Sequence, residues 1–304
     1  MGTYPSWSRR DFLKRTVLAS GLVIATPTFL TACSTTDPET GADTGSDSTL
    51  DKIKEAGKVT VGFANEEPYA YRDGGELKGE APAIHGEVFR RIGDIELEGA
   101  LFEFGALIPA RNAGRVDVVT AGMFINPERC EQAAFSNPEY VVPTAFLVKK
   151  GNPEGLSDYQ SIIDTGVKLA VLNGAVEVDQ AKAAGVPENQ LQTVADQQSG
   201  LDAVKSGRAA ALSLTSISVN ALAESDTSVE VAEPFNPVVD GEEQIGAGAA
   251  VFRKEDTELL EAFNTELDAI LQEDGTWLSL VEPFGFSETE KPPPDLTTEQ
   301  LCQG

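Results

Sequence analysis

The stretch "VDVVTAGMFINPERCEQAAFS", residues 116–136, contains the two signals that decide the fold. Its first half is a short apolar run, which is typical of a buried strand. In its second half Asn126 and Pro127 predict a helix start, with the asparagine as N-cap and the proline at the first helical position. A buried strand that leads directly into a helix is the unit from which α/β sheets are built.

The sequence before this stretch repeats the same alternation. We predict a short helix over "LDKIKEAGK" that ends at Gly57, a buried strand over "VTVGFA" and a helix over "AIHGEVFRRIG". A strand that ends at Phe104 and a helix over "ALIPARNAG" complete the pattern. This order indicates a mostly parallel sheet flanked by helices, in which ligands bind at the carboxyl ends of the strands.

Three loops follow predicted strands, and each carries an aromatic residue. They are "NEEPYAY" with Tyr69, "EFGAL" with Phe104 and "GMFINPERC" with Phe124. Because the carboxyl ends of parallel strands meet at one edge of a sheet, these loops are the first candidates for a binding site.

Arg129 lies in the first turn of the helix that Asn126 caps. A cation is disfavoured there, because the helix dipole stabilises anions at an N-terminus by a few tenths to about 1 kcal/mol. Two interpretations follow: the guanidinium binds an anion such as a carboxylate through paired hydrogen bonds, or it is a surface arginine lying along its helix. The spacing alone leaves both open.

Composition excludes one class of function. The 304-residue chain has 49 acidic and 23 basic residues and a formal net charge of −26, which argues against nucleic-acid binding, because phosphate contacts need clustered Lys and Arg. Its length allows two domains of ordinary size.

The first 33 residues have the features of a targeting segment. "SRRDFLKR" looks like a twin-arginine export signal, and the apolar run that follows is interrupted by Gly21 and Pro27, as in a signal peptide. "LTAC" resembles a lipobox and predicts lipidation of Cys33. Residues 34–49 contain almost nothing apolar and predict a flexible tether. We therefore expect a lipoprotein anchored at the outer face of the cell membrane.

Four segments resemble the solute-binding proteins of ABC importers for polar amino acids: "GELKGEAPAIHGEVFRRI", "LIPARNAGRVDVV", "GMFINPERCEQAAFS" and "FLVKKGNP". The resemblance covers about residues 50–286 and implies the type II periplasmic-binding-protein fold, with two α/β lobes joined by a two-strand hinge. It places residues 50–141 and 244–304 in the first lobe and 142–243 in the second. It also implies ABC permease subunits as partners, a monomer, and a role for Arg129 in holding the ligand carboxylate.

The chain departs from that family pattern in ways that change the expected ligand. Hydroxyl residues are usual where Phe124, Ala175 and Val176 stand, and many members have Asp where Thr215 aligns. Aromatic rings attract delocalised or quaternary cations by about 0.5–2 kcal/mol each. The expected ligand-binding residues are Glu66, Tyr69, Phe104, Phe124, Arg129, Gly174, Ala175, Val176 and Thr215.

These residues resemble those of ectoine- and hydroxyectoine-binding proteins, whose ligand is a cyclic amidinium carboxylate. A polar amino acid is the second candidate ligand and a quaternary betaine the third. A dehydratase-type enzyme on the same fold is a weaker alternative, because we find no nucleophile elbow and no catalytic residue. No cofactor is expected.

Cys130 and Cys302 remain once Cys33 is assigned to lipid. In an exported protein such a pair tends to oxidise, so we predict a disulfide that ties the C-terminus to the first lobe. A metal site is disfavoured, because no His or second Cys stands at ligand spacing. His85 is expected at the surface or in packing, and Trp277 in packing.

Overall fold

The computed structural model describes residues 48–239 and 241–303. The predicted signal, Cys33 and nearly all of the predicted tether lie outside this part of the chain. Within the described residues no helix is both long and apolar enough to cross a bilayer. Helix α1 begins at Thr49 with Ser48 as its N-cap, so the tether ends slightly earlier than the sequence indicates.

The strands are β1 (Lys58–Phe63), β2 (Tyr71–Asp73), β3 (Glu76–Lys78), β4 (Glu96–Leu101), β5 (Val118–Phe124), β6 (Ala134–Phe135), β7 (Tyr140–Val141), β8 (Thr144–Lys149), β9 (Leu169–Leu172), β10 (Leu191–Val194), β11 (Ala211–Thr215), β12 (Val229–Val231), β13 (Val238–Val239), β14 (Glu242–Glu243) and β15 (Ala247–Phe252). The helices are α1 (Thr49–Ala56), α2 (Glu80–Gly93), α3 (Leu107–Asn112), α4 (Pro127–Gln132), α5 (Tyr159–Thr165), α6 (Val176–Ala183), α7 (Gln197–Ser206), α8 (Ser216–Ser225), α9 (Thr257–Gln272), α10 (Thr276–Val281) and α11 (Thr298–Gln303). Short 3-10 turns cover Phe104–Ala106, Glu188–Gln190, Glu282–Phe284 and Glu288–Glu290.

Two main sheets organise the molecule. The first has the strand order β4-β1-β5-β15-β6, with β7 also paired to β15. The second has the order β10-β9-β11-β8-β12. We call the part built on the first sheet lobe 1, which includes α1–α4 and α9–α11, and the part built on the second sheet lobe 2, which includes α5–α8.

Both sheets are mixed, whereas the sequence predicts mostly parallel ones. In lobe 1, β1 pairs in parallel with β4 and β5, but β15 runs antiparallel to β5, β6 and β7. In lobe 2, β9 pairs in parallel with β10 and β11, but β8 runs antiparallel to β11 and β12. The antiparallel strands β8 and β15 are the first strands after the two crossings between the lobes. Each begins at the sheet edge where the parallel strands end, and therefore runs in the opposite direction.

The two crossings lie side by side. The chain passes from β7 to β8 through residues 142–143 and returns between β14 and β15, and the Val142 N–H donates to the Gly246 carbonyl at 2.8 Å. Such paired connections are suited to hinge motion, since few residues absorb the change in dihedral angles. The exact lobe boundaries, at residues 141 and 244, stay a prediction.

Buried polar groups fix the interior of lobe 1. His85 is fully buried on α2 and bonds through Nδ1 to Thr120 at 2.8 Å and through Nε2 to Glu139 at 2.9 Å. Trp277 is also fully buried, and its indole N–H donates to the Glu139 carbonyl at 2.8 Å. His85 is thus a packing residue, and the surface alternative is wrong, because both of its ring nitrogens form hydrogen bonds with buried side chains of lobe 1.

One local expectation fails near the candidate site. β4 ends at Leu101, and Phe104 opens a 3-10 turn ahead of α3 instead of ending the strand. The chain leaves the sheet after the Phe102 N–H donates to the Phe63 carbonyl at 2.9 Å. Phe104 therefore lies beyond the sheet edge, close to lobe 2.

Candidate functional site

A cavity lies between the two lobes, where β1 and β5 of lobe 1 and β9 and β11 of lobe 2 end. The cavity is small, with a volume of about 20 Å³. Its lining residues are Glu66, Tyr69, Phe104, Gly122, Phe124, Arg129, Leu172, Ala175, Val176, Glu177, Leu214 and Thr215. The position agrees with the rule that ligands of α/β sheets bind at the carboxyl ends of strands.

Tyr69 is held in the cavity wall by packing on one side and a hydrogen bond on the other. Its ring stacks on Tyr140 with centroids 5.1 Å apart. Gly122 has φ of +60°, and a Cβ there would stand 2.3 Å from the Tyr69 ring, so only glycine leaves room for it. The Tyr69 hydroxyl donates to Thr215 Oγ1 of lobe 2 at 3.0 Å.

Arg129 is positioned by its helix start, as the sequence predicts. The Asn126 side chain accepts from the Arg129 N–H at 2.8 Å and caps α4. The guanidinium donates from Nη1 to the Phe124 carbonyl at 2.7 Å and from Nη2 to the Gly174 carbonyl of lobe 2 at 2.9 Å. The central guanidinium carbon of Arg129, Cζ, lies 5.6 Å from the centre of the Phe104 ring. Arg129 is 8% exposed, so the surface interpretation is wrong.

The charge of Arg129 has no direct partner among the described residues. No carboxylate of residues 48–239 and 241–303 lies within 4.0 Å of its nitrogens. Burial lowers the pKa of Arg129 to about 10, while Glu177 at longer range opposes the shift. Since a guanidinium has five N–H donors and two carbonyls use only part of them, donors remain for an anion.

Two buried carboxyl groups line the same cavity. Glu66, on the loop after β1, accepts from the Ser218 hydroxyl of lobe 2 at 2.8 Å. Burial raises the pKa of Glu66 to about 7, and the nearby charge of Glu177 adds to the shift. Glu177, in the first turn of α6, is 3% exposed, and burial likewise raises its pKa to about 7. The cavity thus combines one guanidinium with two carboxyl groups.

The two phenylalanine rings differ in what they contact. Phe104 faces the guanidinium of Arg129, so part of its aromatic surface already serves a protein cation. Phe124 lies 6.2 Å from Tyr140, and a Cβ on Gly246 would stand 2.5 Å from the Phe124 ring. Both rings remain slightly exposed, 7% for Phe104 and 6% for Phe124, at the cavity wall.

Similarity to known proteins identifies the family to which the chain belongs. Residues 59–287 match the bacterial extracellular solute-binding proteins, family 3. The chain belongs to this family. It is a solute-binding receptor of the ABC-importer type, with the type II periplasmic-binding-protein fold.

Individual relatives of this solute-binding protein agree with the family. A probable amino-acid ABC transporter periplasmic-binding protein of Sinorhizobium fredii is 35% identical over 259 residues, 84% of this chain and 86% of the relative. The crystal structure of EhuB in complex with hydroxyectoine is 38% identical with a TM-score of 0.76, covering 84% of this chain and 97% of that one. An ancestral amino acid-binding protein, a precursor of cyclohexadienyl dehydratase, is 28% identical with a TM-score of 0.68, covering 78% and 99%.

Polar contacts across the cleft hold the solute-binding protein in a closed arrangement. Besides the bonds of Tyr69, Glu66 and Arg129, the Gln197 amide lies against the Glu67 backbone; with its oxygen and nitrogen exchanged it donates to the Glu67 carbonyl at 2.9 Å and accepts from the Glu67 N–H at 2.8 Å. Gly105 and Gly174 also meet across the cleft, and a Cβ on Gly174 would stand 2.5 Å from the Gly105 Cα. Each of these contacts would be lost on opening.

The structure brings together nearly all the residues singled out in the sequence. Those that line the cavity are Glu66, Tyr69, Phe104, Phe124, Arg129, Ala175, Val176 and Thr215. Gly174 instead contributes its carbonyl to Arg129. Of the adjacent acids, Glu66 lines the cavity, while Glu67 uses its backbone to bind Gln197.

Sequence reasoning missed other cavity residues: Gly122, Leu172, Glu177 and Leu214. The Glu177 side chain is the most consequential, because it brings a carboxyl group from lobe 2 into the cavity. An acidic residue directly after "GAV", at the start of a helix in the cleft, was the available signal.

A disulfide joins Cys130 to Cys302, with Cα atoms 5.7 Å apart, and links α11 to α4. The pairing is the one predicted from the sequence. Within the described residues no cluster of three or more His, Cys, Asp or Glu side chains could hold a metal ion.

Proposed function

We propose that this protein is the extracytoplasmic receptor of an ABC importer for a compatible-solute zwitterion of the ectoine or hydroxyectoine type. The observation that carries the proposal is the buried Arg129 guanidinium, which has no carboxylate within 4.0 Å among the described residues and lines a cavity with two carboxyl groups. A ligand with one carboxylate and one cation would match both kinds of group.

The ligand carboxylate would bind Arg129. The two carbonyls that already accept from this guanidinium fix its plane, so its remaining donors are pre-organised. Because Arg129 is buried, an anion there would interact in a poorly screened environment.

The ligand cation would lie near Glu66 and the aromatic rings of Tyr69 and Phe124. An amidinium spreads its charge over a ring that can lie on an aromatic face, and its N–H groups can donate to a carboxylate. An α-amino acid also carries N–H donors, but its ammonium is compact and strongly hydrated, so it gains less than an amidinium from the aromatic faces. A quaternary betaine has no N–H donor, so it would leave the carboxylates without hydrogen bonds.

The similarity to EhuB, whose crystal structure holds hydroxyectoine, supports this ligand class. A polar amino acid remains the alternative, since the relative in Sinorhizobium fredii is named as an amino-acid ABC transporter protein. The relatives with named roles are binding proteins, including the dehydratase precursor, which supports a receptor over an enzyme.

We further propose that a lipid on Cys33 and the segment 34–49 tether the receptor to the outer face of the membrane, where, as a monomer, it delivers ligand to the permease subunits. Replacing Cys33 with alanine should release the protein from the membrane fraction without changing ligand affinity. Retention of the Cys33→Ala protein in washed membranes would contradict the lipid anchor.

Calorimetry on residues 34–304 tests the ligand. Ectoine and hydroxyectoine are titrated beside glycine betaine, L-glutamine, L-histidine and L-arginine. We expect the best ectoine to bind at least about tenfold more tightly than any amino acid, about 1.4 kcal/mol. An amino acid that binds as tightly as ectoine would overturn the proposed ligand and leave the family assignment intact.

A further inference from the structure

The residues that line the cavity include two carboxyl groups but one basic side chain, so their charges do not cancel when both carboxyl groups are ionised. Glu66 reaches the cavity from lobe 1 and Glu177 from lobe 2, and Arg129 is the one basic side chain among the lining residues. If both carboxyl groups were ionised, the closed, ligand-free cavity would hold excess negative charge. Burying an uncompensated charge costs several kcal/mol, so the closed cavity favours keeping a proton or gaining a cation.

The hydrogen bonds leave both carboxyl groups available. Glu66 accepts from Ser218 through Oε1, and among the described residues no side chain donates to its other oxygen. Glu177 accepts from its own backbone N–H, and within the same part of the chain no other side chain bonds to it. Neither group forms an ion pair within 4.0 Å in that part of the chain, in contrast with the buried pair of Arg111 and Asp256.

We propose that Glu177 is a specificity-determining residue of lobe 2, which together with Glu66 holds the N–H-bearing cation of the ligand between two carboxylates. The inference rests on the proposed function and deepens it. Closing the lobes brings the second carboxylate to the cation, so recognition of the cation and closure become one event.

Other ionisable groups around the pair do not supply the missing positive charge. The charge of Glu177 raises the pKa of Glu66, and the charge of Arg129 lowers the pKa of Glu177. The other groups that act on Arg129, Tyr69 or Tyr159 from the neighbouring elements are Glu80, Glu128, Tyr140 and Asp179. All of these are acids or phenols. A ligand cation is therefore the natural source of the second positive charge.

The direction of the pH effect follows from the sign of the shifts. Burial raises the pKa of both glutamates to about 7, so below that pH the ligand-free closed form keeps protons that the unfolded or open chain would release. The closed ligand-free form loses stability as pH rises through about 7, and a bound cation removes that loss. The fraction of ligand-free protein that is closed should therefore fall as the pH rises through about 7, while the ligand-bound form stays closed.

Selection among ligands follows from the same geometry. A ring amidinium has N–H donors that can reach two carboxylates at once, and charge-assisted bonds of this kind are roughly twice as strong as neutral ones. Glycine betaine carries equal charge and no N–H, so it would keep the electrostatic attraction and the aromatic contacts but form no hydrogen bond with either carboxylate. The ratio of ectoine to betaine affinity thus reports on the carboxylate pair.

Calorimetry of the wild-type protein, Glu177→Gln and Glu66→Gln tests the inference. Each is titrated with the ligand at pH 6, 7 and 8. Asp202→Asn on α7 is the control, because it removes the same charge from an exposed position of lobe 2 that does not line the cavity. The ligand used is the one from the six-compound panel that binds the wild-type protein most tightly.

We expect Glu177→Gln to bind at least tenfold more weakly than the wild type at pH 8, while Asp202→Asn changes affinity less than threefold. Glu177→Asp, which restores the carboxylate on a shorter arm, should recover part of the loss. Thermal unfolding without ligand checks that each variant folds.

Two outcomes would overturn the inference: wild-type affinity in Glu177→Gln, or an equal loss in Asp202→Asn. Failure of the proposed ligand is a separate result. If an amino acid binds most tightly, ectoine is excluded, and the Glu177 comparison is then made with that amino acid. A wild-type protein that binds none of the six compounds would overturn both proposals.

Discussion

The two lobes contribute different chemistry to one cavity. Lobe 1 contributes long side chains with aromatic faces or charges, from the loops after β1, β4 and β5: Glu66, Tyr69, Phe104, Phe124 and Arg129. Lobe 2 contributes short or aliphatic residues, one hydroxyl and one carboxyl group: Leu172, Ala175, Val176, Glu177, Leu214 and Thr215. We therefore expect lobe 1 to hold most of the recognition chemistry and lobe 2 to close over the ligand.

The lobes also differ in how firmly their cleft residues are fixed. In lobe 1, α4 carries Arg129 and is tied by Cys130 to Cys302 of α11, while Tyr69 is wedged between Gly122 and Tyr140. The cavity residues of lobe 2 lie mostly at the starts of α6 and α8. Thr215 caps α8 by accepting from the Ser218 N–H at 3.3 Å. Pre-organised groups lose less entropy on binding, which favours lobe 1 as the first ligand contact.

Removal of the disulfide should cause the largest change in free energy, because the bond closes a loop with a sequence separation of 172. The chain-entropy account gives at most about 5 kcal/mol for such a loop. We expect Cys302→Ser to lower the free energy of unfolding by a large part of that amount, as measured by urea denaturation. Intact-mass measurement should show a gain of two hydrogens on reduction of the wild type. Two free thiols in the native, exported protein would contradict the pairing.

Arg129→Ala should come next and would test the recognition role of lobe 1. Loss of a charged hydrogen bond weakens binding by at least about 1.5–3 kcal/mol, and more if the ligand carboxylate stays buried without a partner. Calorimetry measures this, with exposed Arg115→Ala as the control. Near-native affinity in Arg129→Ala, with native stability, would remove lobe 1 from carboxylate recognition.

Gly174→Ala tests the closing role of lobe 2. Its Cβ would meet the Gly105 Cα at 2.5 Å only when the lobes are together, so closure should be hindered and affinity should fall at least about tenfold. Gly185→Ala is the control, because Gly185 also has a positive φ but a Cβ there meets only the Ile163 side chain at 3.7 Å.

Small-angle scattering gives the second measurement for this pair. The wild type and Gly185→Ala should contract when ligand is added, and Gly174→Ala should contract less. An unchanged radius of gyration in the wild type at saturation would count against closure around a hinge.

Tyr69→Phe should have the smallest effect. It keeps the ring against Tyr140 but removes the hydrogen bond to Thr215, which is worth about 0.5–1.5 kcal/mol. We expect a two- to tenfold loss of affinity by calorimetry, against no change in Tyr71→Phe on the hairpin outside the cavity. A loss greater than a hundredfold would mean that the Tyr69 hydroxyl contacts the ligand directly.

Much of lobe 1 could be predicted because its signals are local. Asn126 and Pro127 mark the start of α4, so the sequence alone places Arg129 correctly in the first turn of that helix. The apolar runs of β1 and β5 and the Gly57 helix end have equally short-range causes. Local propensity and capping act over a few residues, which one sequence shows directly.

What could not be predicted depends on contacts between distant segments. Glu177 becomes a cavity residue only when lobe 2 meets lobe 1, and nothing in its spacing distinguishes it from an ordinary first-turn acid. The sequence predicts Phe104 at a strand end, but the chain leaves the sheet earlier and brings the ring over Arg129. The antiparallel strands next to the crossings follow from topology, which periodicity does not encode.

A crystal structure of the protein with ectoine tests the central claim most directly. The account predicts that the ligand carboxylate accepts hydrogen bonds from the Arg129 guanidinium, at about 2.7–2.9 Å, and that the amidinium lies within hydrogen-bond distance of Glu66. Lobe 2 should contact the ligand mainly through Glu177 and Thr215. A ligand whose carboxylate binds lobe 2 while Arg129 keeps only its two carbonyl partners would contradict the account.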